Sequence, residues 1–289
     1  MANTITIKRR IGSIKSTRQI TKAMQLVAAS RMRKAQEAAQ RSRPYGEMAS
    51  ALLTRLAQIT EIEASQLFVR REVKARLLVV VTSDRGLAGA YNSNILRAYV
   101  GELKKDQAAK VKTYTICVGQ KAAQFVARIK ETEVVGVYKN LPTDLHVNDL
   151  APIMRTAIDL FVEEKIDAVD VIYTHYYSTI RQEPKLHTLL PAGFTTTEVP
   201  ADLKLASFEP SVEEVLESTT RRLLEAQLWQ DVLESVASEQ SMRMVAMKNA
   251  TDNANELVED YTLEYNNARQ GKITQELAEI TGGAEALKD

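Results

Sequence analysis

The chemically capable residues of this 289-residue chain are plentiful, but their spacing assembles few of them. The loop "SDRGLAGAYNSN", residues 83–94, follows a β-branched apolar run, and the ends of such strands, with the next helix N-terminus, are where phosphates collect. Its glycines, Gly86 and Gly89, are spaced GxxG, whereas a dinucleotide crevice needs GxGxxG so that backbone can approach a pyrophosphate. The spacing favours a structural turn. "GSIKST", residues 12–17, has the lysine and hydroxyls of a phosphate loop but lacks the glycine before the lysine and the preceding strand, so the match is chance.

Other chemistries fare no better. His146, His175 and His187 are not at metal-ligand spacing and no HExxH occurs, which reads them as loop or strand residues and predicts no metal or cofactor. Cys117 sits in an apolar strand pattern, where a small buried hydrophobe is the default. No serine lies in a GxSxG turn. No active site emerges, and the chain reads as non-catalytic. With one cysteine no internal disulfide is possible, and a reducing, cytosolic compartment fits. The N-terminus turns charged within eight residues and nowhere do 18 apolar residues run together, so neither a secretory signal nor membrane insertion is expected.

The elements that must position these residues are uneven in length. Residues 211–270 contain neither glycine nor proline, and sixty helical residues make a rod of roughly 90 Å, too long to hide its apolar side in one small domain. Residues 13–43 are likewise uninterrupted and rich in Ala, Gln, Met, Lys and Arg, predicting a second long helix that Pro44 and Gly46 should kink or end. Ile7, Ile11, Ile14, Ile20, Met24 and Val27 mark its apolar face. Met247, Ala250, Ala254, Leu257, Tyr261, Tyr265 and Ala268 step by threes and fours, a coiled-coil seam. Residues 1–46 hold eleven basic residues against one acid, a net of +10, and residues 209–289 hold 17 acids against seven bases, a net of −10. Exposed pairs contribute only about 0.2 to 1 kcal/mol each, so this complementarity selects the pairing more than it stabilises it. The basic helix alone suits a nucleic acid, but it lacks interleaved aromatics and its acidic neighbour would repel a duplex; no nucleic-acid partner is expected.

Between the rods the pattern alternates strand and helix. "RLLVVVTS" (76–83) is a strand buried on both faces, followed by a helix over about 94–105; "VKTYTICVG", "TEVVGVYK" and "DAVDVIYTHYYS" are three further strands with helices between them. Repeated strand–helix units imply a mainly parallel sheet. Pro184, Pro191, Pro200 and Pro210 punctuate the return to the C-terminal rod. The fold class is therefore α/β: a long antiparallel coiled coil of N- and C-terminal helices (1–65 and 208–289) with an inserted Rossmann-like α/β domain (70–205).

Four segments, "ITKAMQLVAASRMRKAQ", "TSDRGLAGAYNSN", "ASEQSMRMVAMKNATDNANEL" and "YNNARQGKITQELAEI", resemble the signature segments of the gamma subunit of bacterial rotary ATP synthases. The resemblance spans both terminal helices and the first strand with its loop. It implies a central-stalk rotor that transmits torque between a membrane c ring and a catalytic hexamer of alpha and beta subunits, coupling proton flow to ATP synthesis, with the α/β domain touching the epsilon subunit and the c ring. It implies a peripheral protein on the cytoplasmic face of the plasma membrane. By the same resemblance Met24 faces an acidic lever segment of a beta subunit, and Glu239, Arg243, Arg269, Gln270 and Thr274 make polar contacts with beta-subunit loops. The stretch around 204–208 is implied to meet the c ring. Gly271 stands where the family has a small residue such as alanine, and costs about 1 kcal/mol in an exposed helix. The plant chloroplast dithiol switch is excluded by the single cysteine. The competing reading is an α/β nucleotide-binding enzyme with a helical dimerisation arm, which saturable ATP binding would mark.

Overall fold

The computed structural model describes residues 4–57, 66–142, 144–193 and 212–286. Helix α1 spans Thr4–Ala57 and helix α5 spans Val212–Ala286. Between them come β1 (Ala75–Val81), α2 (Tyr91–Ala108), β2 (Lys112–Val118), α3 (Gln120–Val126), β3 (Thr132–Tyr138), α4 (Val147–Val162), β4 (Ala168–Tyr176) and β5 (Gln182–Leu190). By packing, the chain divides into two compact units, one of Met1–Ala28 with Arg243–Asp289, the other Ala29–Met242.

In the larger unit the sheet order is β3-β2-β1-β4-β5. The first four strands are parallel, the order of one half of a Rossmann sheet. β1 is central and its side chains alternate between two cores, so a continuous apolar run is what it requires. Leu78 and Val80 meet Ile95 and Tyr99 of α2 and Val126 of α3. Leu77, Val79 and Val81 face the other way, toward Ile153, Ala157 and Phe161 of α4. Arg76, at the amino end of β1, gathers three acids: it bonds Asp170 of β4, Asp106 at 2.8 Å and Glu102 at 3.1 Å on α2.

β5 is a strand that the sequence does not announce. It pairs antiparallel with β4, and Pro184 lies within it opposite Thr174 instead of marking a loop. An edge strand tolerates proline because its outer N–H groups have no ladder partner.

The domain core also recruits the terminal helices. Ala39, Ala49 and Leu53 of α1 and Leu223, Leu224, Leu228, Val232 and Leu233 of α5 are buried with the α4 face of the sheet. Each such leucine or valine side chain contributes about 1.5–3 kcal/mol on burial, enough to explain why α1 runs on past Pro44 and Gly46, where the sequence predicts a kink or an end. Proline removes one backbone bond from the turn. On the preceding turn, Ser42 Oγ donates to Gln230 Oε1 and Gln230 Nε2 reaches the Ala39 carbonyl at 3.4 Å. Tertiary contact outweighs local propensity here.

In the smaller unit α1 and α5 run antiparallel. Ile7 and Ala28 are buried on one helix, Met247 and Ala254 on the other. The α1 face differs from the predicted one. The stripe that begins at Ile7, Ile11 and Ile14 continues on a 3.5-residue repeat through Arg18 and Thr21 to Ala28, leaving Ile20 and Val27 exposed. Leu257, expected in the α5 seam, is exposed as well. Polar residues take the interior places: Arg18 Nη1 donates to Asn255 Oδ1 at 3.3 Å, and Thr251 Oγ1 donates to Thr21 Oγ1 at 2.9 Å. Arg10 lies 5.9 Å over the Tyr261 ring.

Candidate functional site

The crevice where an α/β sheet would hold a nucleotide is at the carboxyl ends of its strands, next to β1. Here that position is filled by the chain's own carboxylate. Asp84, just past β1, accepts the N–H of Gln120 at the start of α3 (2.9 Å) and the N–H of Asn140 after β3 (3.0 Å). Two backbone donors that could meet an anion are thereby used. Ser83 and Asn92 lock the same loop, with Asn92 Nδ2 donating to Ser83 Oγ at 2.8 Å and Ser83 Oγ donating to the Arg85 carbonyl at 2.6 Å. Gly119, at φ +92°, lets β2 pass close by, since a Cβ there would lie 2.2 Å from the Thr82 carbonyl oxygen. The loop is a strut, as its GxxG spacing predicts.

The remaining chemical candidates fall to structural roles. "GSIKST" is helical, with Thr17 Oγ1 donating to the Ser13 carbonyl. Cys117 is buried, and that burial pushes its thiol up to about 11, far from a nucleophile. His146 precedes α4, its N–H donating to Asp149 at 2.8 Å. His175 and His187, in β4 and β5, pair with Glu234 and Asp231 of α5. Among the described residues no group of three or more His, Cys, Asp or Glu side chains could hold a metal ion, and no helix is long and apolar enough to cross a membrane.

What the chain does present is helix surface. Met24 is half-buried on α1, and beside it Ile20, Leu26 and Val27 are exposed among basic residues including Lys22 and Arg31. On α5, Arg243 is half-buried, while Arg269, Gln270 and Thr274 are exposed on neighbouring turns, with Thr274 Oγ1 donating to the Gln270 carbonyl at 3.0 Å. In the other unit Glu239 is half-buried and accepts from Gln240 Nε2 at 3.3 Å. These residues do not converge. Met24 lies on the pair near the level of residue 248, because Thr21 meets Thr251, and about 22 helical residues, ~33 Å, separate that level from Gln270. Within this unit Met24 and Arg243 lie on the helix pair, and Arg269, Gln270 and Thr274 lie on α5 beyond Thr4.

The sequence reading missed one exposed apolar feature. Each step of α1 toward its start is matched by a step of α5 toward its end, so by Arg269 the first described residue of α1, Thr4, has been passed. Beyond it every described α5 side chain is exposed, including Ile273, Leu277 and Ile280, an i, i+4, i+7 stripe that no described residue of this unit covers. The signal was legible: the apolar period persists after the seam's last residue, Ala268. A bare apolar stripe of this kind marks a surface for another protein.

Comparison with known proteins gives the chain's family. A family model for ATP synthase matches residues 3–287. The chain is 40% identical over 292 residues to the ATP synthase gamma chain of Ralstonia nicotianae, covering 99% of this chain and 100% of that one. It is 40% identical over 289 residues to the ATP synthase gamma chain of Heliobacterium modesticaldum, covering 97% and 98%. Among solved structures, a chain of the Euglena gracilis mitochondrial ATP synthase complex of OSCP, F1 and c-ring matches with a TM-score of 0.71 at 19% identity, covering 98% of this chain and 94% of that one. A chain from the central stalk and c-ring of the Tetrahymena thermophila mitochondrial enzyme matches at 0.62 and 24%, covering 80% and 99%. At these identities the structural likeness carries the fold.

Proposed function

This chain belongs to the ATP synthase gamma-chain family, and we propose that it is the central-stalk rotor of a proton-translocating ATP synthase, turning inside an alpha/beta hexamer and carrying torque from a membrane c ring. The observation that carries this reading is the bare α5 stripe of Ile273, Leu277 and Ile280 beyond the end of α1. A helix pair that gives way to a single helix has a cross-section without rotational symmetry. Each catalytic subunit around it then meets a different face, and a shaft that binds the subunit's conformations unequally shifts their nucleotide affinities. The chemistry belongs to those subunits.

Named residues take particular places in this scheme. Met24, with the exposed Ile20 and Val27 and the basic side chains around them, faces an acidic segment of a beta subunit; Glu239, Arg243, Arg269, Gln270 and Thr274 meet beta-subunit loops. The α/β domain contacts the epsilon subunit and the c ring, and the complex sits at the cytoplasmic face of the membrane. The stretch around 204–208, the expected c-ring contact, lies outside the described residues.

Reconstitution of the full chain with the alpha, beta and epsilon subunits and the proton-translocating membrane sector in sealed vesicles tests the proposal. Arg269→Ala and Arg243→Ala should fold normally yet lower proton pumping per ATP hydrolysed, and the unaltered chain should show no saturable heat on titration with ATP. Wild-type coupling in both variants would remove those two contacts; saturable ATP binding by the chain alone would overturn the rotor reading.

A further inference from the structure

Two histidines and two carboxylates meet where α5 crosses the outer strands of the sheet. His187 Nδ1 of β5 lies 2.7 Å from Asp231 Oδ2, and His175 Nδ1 of β4 pairs with Glu234 Oε2. Asp231 and Glu234 are three residues apart, on one face of α5, and both side chains are almost fully buried, at 5% and 6% exposure. The imidazoles are more accessible, at 27% and 20%, and a cleft of about 240 Å³ opens onto all four groups. Protons can therefore reach the imidazoles while the carboxylates stay dry. We propose that His187 is a proton-operated clasp, which, beside the His175–Glu234 pair, holds the α5 turn of Asp231 and Glu234 against β4 and β5 while its imidazole is charged and loosens as pH rises.

The surrounding charges fix the sign. From α1, Arg43 Nη2 reaches Glu234 at 3.4 Å and Glu47 lines the cleft. β4 adds Asp170 and Tyr173, and α5 adds Gln230, whose Nε2 donates to Glu234 at 3.1 Å. Burial alone would push the His187 pKa down, but the charge and hydrogen bond of Asp231, with Asp170 and Glu234 further off, outweigh it and the pKa is raised. A raised imidazole pKa stabilises the fold fully below the unfolded value of about 6.5, and that stabilisation is lost as pH climbs through the folded value. For Asp231 burial raises the pKa and His187 only partly offsets this, so ionising it without a charged partner is unfavourable at high pH as well. Burial also pushes the Glu234 carboxyl up, but His175, Gln230 and Arg43 together hold it below its ordinary range, so its contribution is lost only in acid. The clasp thus grips between the carboxylate range and the His187 pKa. Above that, neutral His187 still donates a hydrogen bond to Asp231 but brings no charge, which loosens the contact without breaking it. Tyr173 stays neutral throughout, its pKa raised by burial and by both carboxylates.

The full-length chain suffices for the test, with no other subunit present. Proton NMR should show His187 titrating above about 6.5, and Asp231→Asn should lower that value. Hydrogen exchange over residues 226–238, corrected for intrinsic exchange, should lose about tenfold in protection for each unit by which the folded His187 pKa exceeds the unfolded one, as pH rises from about 5 to about 8.5. The His175→Gln, His187→Gln double variant keeps donors but no titrating charge and should flatten that dependence. A wild-type His187 that titrates at or below the free value, or wild-type protection flat with pH, overturns the clasp even if the double variant does not fold; an unchanged pH dependence in a folded double variant overturns it too.

Discussion

Thr21 and Thr251 meet hydroxyl to hydroxyl across the helix pair at 2.9 Å, in a position where an apolar seam would carry a branched aliphatic residue. Thr251 Oγ1 also contacts the Met247 carbonyl at 2.8 Å, so the side chain ties both its own helix and its neighbour. A polar contact of this kind costs an apolar seam some stability but rejects other alignments of the two helices. Thr251→Val should destabilise the pair by about 1 kcal/mol, since Thr21 Oγ1 loses the bond it accepts and keeps only its own donation to the Arg18 carbonyl at 3.1 Å, and Thr21→Val with Thr251→Val should recover part of that loss. Urea unfolding of the two single variants and the double variant gives the coupling; strictly additive losses would show that the hydroxyls do not interact.

Asp84→Ala removes the acceptor shared by Gln120 and Asn140 at the carboxyl end of the sheet. Leaving the part-buried Gln120 N–H unpaired should cost about 1–3 kcal/mol, and the exposed Asn140 N–H, which water can meet, should add little. Thermal unfolding measures the loss, and Asp84→Asn, which keeps one acceptor oxygen, should restore part of it.

Arg76→Met tests the acid cluster at the other end of β1. With the guanidinium gone, Asp106 and Asp170 remain buried near Glu102 with no countercharge, which should cost about 3–5 kcal/mol near neutral pH. Burial pushes the Glu102 carboxyl up, but Lys105 and Arg76 hold it below its ordinary range, so the share of the deficit that it carries should shrink in acid as it is protonated. A deficit that does not change with pH would mean that packing, not charge, is what Arg76 provides.

Two glycines should respond oppositely to the same change. Gly271→Ala adds a methyl where nothing lies within 4 Å, in a helix that runs straight through the position, and should stabilise its turn by up to about 1 kcal/mol, read as slower amide exchange over residues 268–276. Gly119→Ala forces a Cβ to 2.2 Å from backbone oxygen at a left-handed φ and should cost more than about 3 kcal/mol, read as a collapse of the thermal midpoint.

The uneven legibility of this chain follows from range. Strands buried on both faces, such as β1, declare themselves by composition, because two cores demand continuous apolar residues; the parallel sheet was therefore readable. β5 reads QEPKLHTLL, half-exposed and interrupted by Pro184, and only its place at the sheet edge makes it a strand. Met24 and the α5 polar residues are assigned as contacts by likeness to a family, not by spacing. The seam of the helix pair was misplaced after Ile14 because Arg18 and Thr21 look like surface residues until Asn255 and Thr251 are seen opposite them. His175 and His187 could not be matched to Glu234 and Asp231 either, since nothing local in a sequence links a strand to a helix some fifty residues later.

The bond between Arg18 and Asn255 spans 237 positions of the chain. At a synthesis rate of about 5–20 residues per second, the basic first helix leaves the ribosome roughly 12–47 s before the segment that will cover it exists. In that interval its apolar side is open to any acidic or hydrophobic stranger in a crowded cell, and the excess of lysine and arginine that later guides pairing serves first as its solubility tag. Late completion of the partner thus makes the opening of translation the most hazardous moment in the life of this polypeptide.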